Sequence, residues 1–203
     1  MIVEHAPANP NPRKLIIFLD CGDTIIDESS ETRDEEGIVL DGRVIPGADV
    51  MVKTLAERGF RLAIVADGAA QSFKNLLTRN GIYECFETLI YSENIRAMKP
   101  SPRMFKAAMG AMELEEADIP RIMMVGNNLS RDAKGANALG ITSVFLSWTP
   151  RYPKTPADES EIPQYTIETP LELIELAERL DAQLSELATG GGWKEQQQAN
   201  NPS

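Results

Sequence analysis

The feature that most constrains this chain is an alternation: short apolar runs recur along it, and a helical stripe follows almost every one. The runs are KLIIFLD at 14–20, RLAIVA at 61–66, FETLIY at 86–91, RIMMV at 121–125 and ITSVFL at 141–146. Each is long enough for a buried strand and too short for a helix. Between them, the stretch at 48–58 carries Val50, Met51, Leu55 and Ala56 at helical spacing and meets Gly59. Further helices are expected at 71–79 before Asn80-Gly81, at 101–112 behind the cap-and-proline pair Ser101-Pro102, at 129–139 before Gly140, and at 170–187. Apolar strands that alternate with helices call for a parallel sheet covered on both faces. The expected architecture is therefore α/β, a three-layer, doubly wound parallel sheet.

The segments outside this pattern set the expected boundaries. Residues 1–13, MIVEHAPANPNPR, read as a loose leader without the basic start and apolar run of a signal peptide. The end, 188–203, is low in complexity and expected to be disordered. The acidic stretch DESSETRDEEG at 27–37, with a short hairpin at 38–45 turning at Asp41-Gly42, makes a flap over about 25–45. A proline-rich loop at 149–163 and a short strand at 165–167 precede the last helix. The domain thus runs over 14–187. Neither 24–46 nor 81–99 is long enough for a sizeable cap domain, so an open site is expected.

Charge and rare residues exclude whole classes of function. A formal net charge of −11 repels phosphate backbones and anionic lipid, so no nucleic-acid or membrane partner is expected. No apolar stretch approaches membrane-spanning length. His5 is the sole histidine and lies in the leader, which rules out histidine triads and histidine-ligated zinc. Acid–base chemistry must come from carboxylates, lysine or water. Cys21 and Cys85 read as two reduced thiols of a cytoplasmic protein.

Ligands of such sheets bind beyond the carboxyl ends of the strands, which selects the loops starting at Asp20, Ala66 and Gly126. In DCGDT, residues 20–24, Asp20 projects a carboxylate that can attack phosphorus or hold a metal, or merely cap a turn. Ala66-Asp67-Gly68 opens a helix whose amides suit an anion, as any strand–helix junction does. Lys99, in KPSP, can neutralise a bound phosphate or simply be solvated. In VGNNLSRDAKGANALG, residues 125–140, the oxygens of Asn127 and Asp132 suit magnesium, although Asp132 alone could be no more than a favourable charge near a helix start.

The order of these pieces is more specific than any of them. Strand–DxxxT, strand–turn–helix, KPxP and strand–GNxxxxD–helix–Gly together resemble the four-loop signature of the haloacid dehalogenase-like (HAD) hydrolases, over about residues 14–147. The resemblance implies a HAD-like Rossmannoid fold. It makes Asp20 the nucleophile that becomes an aspartyl-phosphate and Lys99 the second catalytic residue. Ala66, Asp67 and Gly68 join Lys99 in holding phosphate. Magnesium is the implied cofactor, held by Asp20, the Gly22 carbonyl, Asn127 and Asp132. The implied partner is a phosphorylated small molecule or macromolecule, and an oligomer is compatible with the sequence.

Three departures from that pattern qualify it. Gly22 stands where family phosphatases carry the general acid, Ala66 where a hydroxyl bonds the phosphoryl group, and Asn127 where a carboxylate holds the metal. Losing a positioned acid costs about 10²–10⁴-fold, and losing a phosphoryl hydrogen bond costs up to about 10²–10³ by analogy with oxyanion donors. Asp23 and Asp67 neighbour two of the lost groups and are the candidate substitutes. The expectation is a magnesium-dependent phosphatase of reduced or altered activity, favouring good leaving groups. Its rival is a catalytically weak binding or regulatory protein on the same fold. A response-regulator receiver is disfavoured by length and by the four-loop order.

Overall fold

The structure is a computed structural model that describes residues 13–189. His5, the expected leader apart from Arg13, and the expected tail apart from the helical backbone of 188 and 189 lie outside the described residues. Along the chain run β1 (Ile16–Leu19), β2 (Thr32–Arg33), β3 (Val39–Asp41), α1 (Ala48–Glu57), β4 (Arg61–Ala66), α2 (Ala70–Arg79) and β5 (Thr88–Tyr91). There follow α3 (Ser92–Ile95), α4 (Pro102–Ala111), β6 (Ile122–Gly126), α5 (Lys134–Leu139), β7 (Thr142–Leu146), β8 (Tyr165–Ile167) and α6 (Glu172–Thr189).

Six strands form one parallel sheet in the order β5-β4-β1-β6-β7-β8. The two-residue period of a strand divides its apolar side chains between two cores. Ile17 and Leu19 of β1 face Met51 and Leu55 of α1, Phe73 and Leu76 of α2, and Leu176 and Leu180 of α6. Ile16 and Phe18 face Met104, Phe105 and Ala108 of α4 and Ala136 of α5. Both faces are dry, which is why β1 reads as an unbroken apolar run. Burial of each such side chain contributes about 1.5–3 kcal/mol, so the three-layer arrangement follows from β1 needing cover on both sides.

The flap differs from its expected form. The hairpin pairs β2 with β3 and turns at 34–37, while Asp41-Gly42 merely ends β3. Asp34 decides this: its Oδ1 accepts the amides of Glu36 at 3.0 Å and Ile38 at 2.8 Å, and Gly37 supplies the left-handed residue (φ 84°). Asp41 spends its Oδ1 on the adjacent Gly42 amide instead. A buried bond from the Val39 amide to Ser72 Oγ (2.9 Å) and one from Asn75 Nδ2 to the Val39 carbonyl (2.8 Å) tie β3 to α2.

The chain ends of the domain are tied together. Buried Asp181 of α6 accepts the amides of Lys14 (2.6 Å) and Leu15 (3.0 Å) and pairs with Arg13 Nη1 at 3.1 Å. Arg13 also lies over the Phe60 ring, 4.7 Å from its centroid. Arg13, expected to close a loose leader, is thus a packed residue. Among the described residues, no helix is long and apolar enough to cross a membrane.

Candidate active site

Because β4, β1 and β6 are neighbours, their carboxyl-end loops converge, as the strand order requires. The Asp20 amide bonds the Val125 carbonyl at 2.9 Å, which sets the first loop level with the end of β6. The Cys21 carbonyl then collects the amides of Thr24, Ile25 and Ile26. That turn closes on the residue before Gly22 and does not use the Gly22 carbonyl.

Lys99 stands at the centre. Its Nζ lies 2.8 Å from Asp20 Oδ1 and 2.7 Å from Asp132 Oδ1, and its side chain is 1% exposed. Its amide donates to Asp67 Oδ1 at 3.0 Å. Burial alone would lower the ammonium, but Asp132, Asp20 and Asp67 outweigh that and hold it well above the ordinary lysine range, so it stays charged. Burial pushes Asp132 up, with Asp20 adding to the push and Lys99 opposing both.

Asp132 owes its position to an unusual helix start. The expected helix over 129–139 opens as a π-turn at Leu129–Ala133 before α5, and the Asp132 amide bonds the Asn128 carbonyl at 2.7 Å. Turns of this kind recur at functional sites because the wider loop re-aims a side chain. Asp132 Oδ2 in turn accepts the Asn128 amide at 3.0 Å. Gly126 makes room for this: a Cβ there would run into the Asp132 carboxylate.

The second loop is less available than expected. The amide of Gly68 is taken by Ser92 Oγ (2.9 Å) and that of Ala70 by Glu93 Oε2 (2.9 Å), both from α3, a helix with no sequence signature of its own. Ala66 is fully buried at the end of β4. Asp67 holds the Lys99 amide and lies 3.7 Å from Arg131 Nη1, so it orients Lys99 rather than replacing the missing hydroxyl. Burial raises its carboxyl above the ordinary range.

Asp23 does not reach the site either. It is fully buried, in the left-handed conformation (φ 48°), with Oδ1 accepting the Glu28 amide at 3.0 Å and Oδ2 paired to Arg151 Nε. The residue that does approach is Glu28. Its carboxylate fills the space a side chain at position 22 would need: a Cβ on Gly22 would overlap Glu28 Oε1 and lie 2.9 Å from its Cδ. Glu28 Oε2 sits 3.5 Å from Arg151 Nε. Burial, then Asp23, raise the Glu28 carboxyl above the ordinary range. Nothing in the sequence separates Glu28 from the other acids of 27–37; only its fold-back onto Gly22 does.

Together these groups line a cavity of about 180 Å³ that includes Asp20, Gly22, Glu28, Asp67, Asn127 and Arg131. Enclosed sites for drug-sized ligands run to roughly 300–1,000 Å³, so this one suits a phosphoryl headgroup with the rest of a ligand outside. Arg131 lies over the Tyr152 ring (5.5 Å) at its rim. The donor set fits a hard cation: two carboxylates, a peptide carbonyl and the Asn127 amide, all oxygen donors. Asn127 is 3% exposed and its Nδ2 has no hydrogen-bond partner among the described residues, so this amide is free to serve a ligand, with oxygen presented by an end-for-end turn. Cys21 and Cys85 are both free thiols.

Known proteins resemble this chain in sequence and in fold. The sequence profile of haloacid dehalogenase-like hydrolases matches residues 23–146. A glyceraldehyde 3-phosphate phosphatase of Methanopyrus kandleri is 29% identical over 126 residues, 62% of this chain and 53% of that protein. Haloacid dehalogenase-like hydrolase domain-containing protein 3 of Bos taurus is 33% identical over 122 residues, 60% of this chain and 46% of that protein. The chain therefore spans about half the length of the curated relatives it matches. Among solved structures, an HAD phosphatase from Thermococcus onnurineus superposes with a TM-score of 0.65 at 18% identity, covering 80% of this chain and 97% of that one. The HAD-hydrolase YfnB of Bacillus subtilis, solved with magnesium bound, gives 0.65 at 18% identity, covering 81% and 99%. At such identities the structural likeness establishes the fold.

Proposed function

The chain belongs to the haloacid dehalogenase-like hydrolases, and from that premise we propose that it is a magnesium-dependent phosphoric monoester hydrolase working through an aspartyl-phosphate on Asp20. One observation carries the proposal: Lys99 Nζ is buried between Asp20 Oδ1 and Asp132 Oδ1, at 2.8 and 2.7 Å, where three strand-end loops meet. A solvated lysine would not be held so, and a cation kept charged beside the nucleophile offsets the phosphoryl charge as Asp20 approaches. The phosphatase names of relatives such as that from Methanopyrus kandleri support a phosphoester substrate.

Asp20, the Gly22 carbonyl, Asn127 and Asp132 would hold magnesium. When bound, the ion supplies further neutralisation of phosphoryl oxygens. Asp20 attacks phosphorus, Lys99 screens the charge between the two, and Asp67 and Asp132 fix Lys99 in place. The narrow cavity admits the phosphoryl group, and the leaving group extends past the rim formed by Arg131, Tyr152 and the flap. The free thiols support a cytoplasmic setting.

The test is turnover of a phosphoester panel with and without magnesium, with Asp20→Asn as control. Magnesium-dependent phosphate release that Asp20→Asn lacks is expected, together with a phosphate adduct on the wild type after acetyl phosphate. If no ester turns over, no adduct forms and beryllofluoride does not bind, the chain is a binding protein on a hydrolase fold.

A further inference from the structure

Phosphoester cleavage by Asp20 leaves an oxygen that must be protonated unless the leaving group is a weak base, and no histidine is found among the described residues. The acids that line the cavity are Asp20, Glu28, Glu31 and Asp67. Three of these are committed. Asp20 is the nucleophile and is paired to Lys99. Asp67 holds the Lys99 amide with one oxygen and faces Arg131 with the other. Glu31 is in a 2.5 Å pair with Arg33. Asp67 Oδ2 accepts no hydrogen bond among the described residues and faces only Arg131, at 3.7 Å; Glu28 likewise keeps an oxygen, Oε1, to which no hydrogen bond is made among them. The Glu28 oxygen is the one lying against Gly22, two residues from the nucleophile.

Glu28 is also held in place. It begins a single 3₁₀ turn, Glu28–Ser30, capped by Asp27 through the Ser29 amide at 3.0 Å. Its own amide is fixed by Asp23, and the same Asp23 grips Arg151, which stands 3.5 Å from Glu28 Oε2. Asp23 is thereby the anchor of this carboxylate and no rival to it. With the Glu28 carboxyl where it lies, a side chain at position 22 would overlap it, so the absence at 22 is what lets Glu28 occupy this place.

We infer that Glu28 is a catalytic residue, the general acid and base of this site, reaching the leaving-group oxygen from the place a side chain at position 22 would otherwise fill. The assignment rests on the hydrolase reading above. In the first step the bond from Asp20 Oδ to phosphorus forms as the bond from phosphorus to the ester oxygen breaks. Glu28 gives its proton to that oxygen, and the alcohol leaves. In the second step the Glu28 carboxylate takes a proton from water as the water oxygen bonds phosphorus. The Asp20–phosphorus bond breaks, phosphate leaves, and Glu28 and Asp20 return to their starting forms. The sum is ester plus water giving alcohol plus phosphate.

A leaving-group comparison tests this, because an acid matters most where the departing oxygen is most basic. We would measure kcat/KM for ethyl phosphate and for 4-nitrophenyl phosphate in wild type, Glu28→Gln, Glu28→Ala and the double variant Gly22→Asp/Glu28→Ala. Glu28→Gln should lose about 10²–10⁴-fold on the alkyl ester and less than about tenfold on the aryl ester. Equal losses on the two esters, or no loss, overturn the assignment while leaving the hydrolase reading intact. Wild type that turns over neither ester overturns the hydrolase reading and this assignment with it. Should Glu28→Gln not fold, the double variant decides: alkyl turnover at least about tenfold above Glu28→Ala supports the assignment, and turnover no better overturns it.

Discussion

A buried lysine between two carboxylates makes each partner's removal costly in a different way. Taking away Lys99 leaves Asp20 and Asp132 facing each other without a cation, and breaking a buried pair from one side costs about 3–5 kcal/mol. Lys99→Met should therefore lower the urea unfolding free energy by about that much at neutral pH and abolish turnover. The sign of its pH dependence follows from Asp132, which burial already raises and which Lys99 opposes. A carboxyl raised in the folded state contributes stability that is present at low pH and lost as pH rises through its folded value. Without Lys99 the rise is larger, so the deficit of Lys99→Met against wild type should narrow as the pH falls from neutral toward mild acid. A deficit that widens would show that Asp132 is not the group responsible. The proposed magnesium site draws on the same residues. Two carboxylates and an amide make a weak magnesium site, so Asn127→Asp should tighten it and Asp132→Ala should abolish it. Equal calorimetric affinities for wild type and Asp132→Ala would remove Asp132 from the metal site.

Short elements do most of the positioning. The π-turn at Leu129–Ala133 aims Asp132, α3 occupies the amides of the second loop, and the one-turn 3₁₀ helix at Glu28–Ser30 delivers Glu28. The flap hairpin is not free to swing, because β3 is bonded to α2 through Ser72 and Asn75. Each of those bonds is worth about 0.5–1.5 kcal/mol net. Ser72→Ala/Asn75→Ala should accelerate amide hydrogen exchange over 32–41 by roughly one to two orders of magnitude, with α4 and β6 unchanged, as expected of a local opening. Uniform acceleration across the domain would mean that the flap unfolds only with the whole.

Over the whole molecule, the net charge of −11 sets the cavity in a negative field, and no cap domain covers it among the described residues. Arg33 and Arg131 line the cavity, Arg151 pairs with its Glu28, and the three oppose that field locally. The field reaches approaching anions over the Debye length, about 30 Å at 0.01 M salt and about 8 Å at 0.15 M. Turnover of a polyanionic phosphoester should thus rise in kcat/KM between those salt concentrations, more steeply than turnover of a neutral-tailed monoester. A fall with salt for both would mean that the three arginines govern encounter.

Periodicity and loop order carried the architecture into view from residues alone. Short unbroken apolar runs at β1 and β6, helical stripes between, and glycines or prolines at their ends are local chemistry, so strand and helix positions could be read to within a few residues. The same holds for Asp20 and Asp132, whose loops start where β1 and β6 end, and for Lys99 through the KPSP turn before α4. The departures at Gly22, Ala66 and Asn127 were equally visible as letters, but their meaning was not. Asp23 and Asp67, adjacent in sequence to the lost groups, turn out to serve Glu28, Arg151 and Lys99. Glu28, one acid among several in a polar stretch, gains its place only when the chain folds back on Gly22. A neighbour along the chain points where its own backbone conformation sends it, whereas a vacated volume is filled by whichever group the tertiary fold brings there.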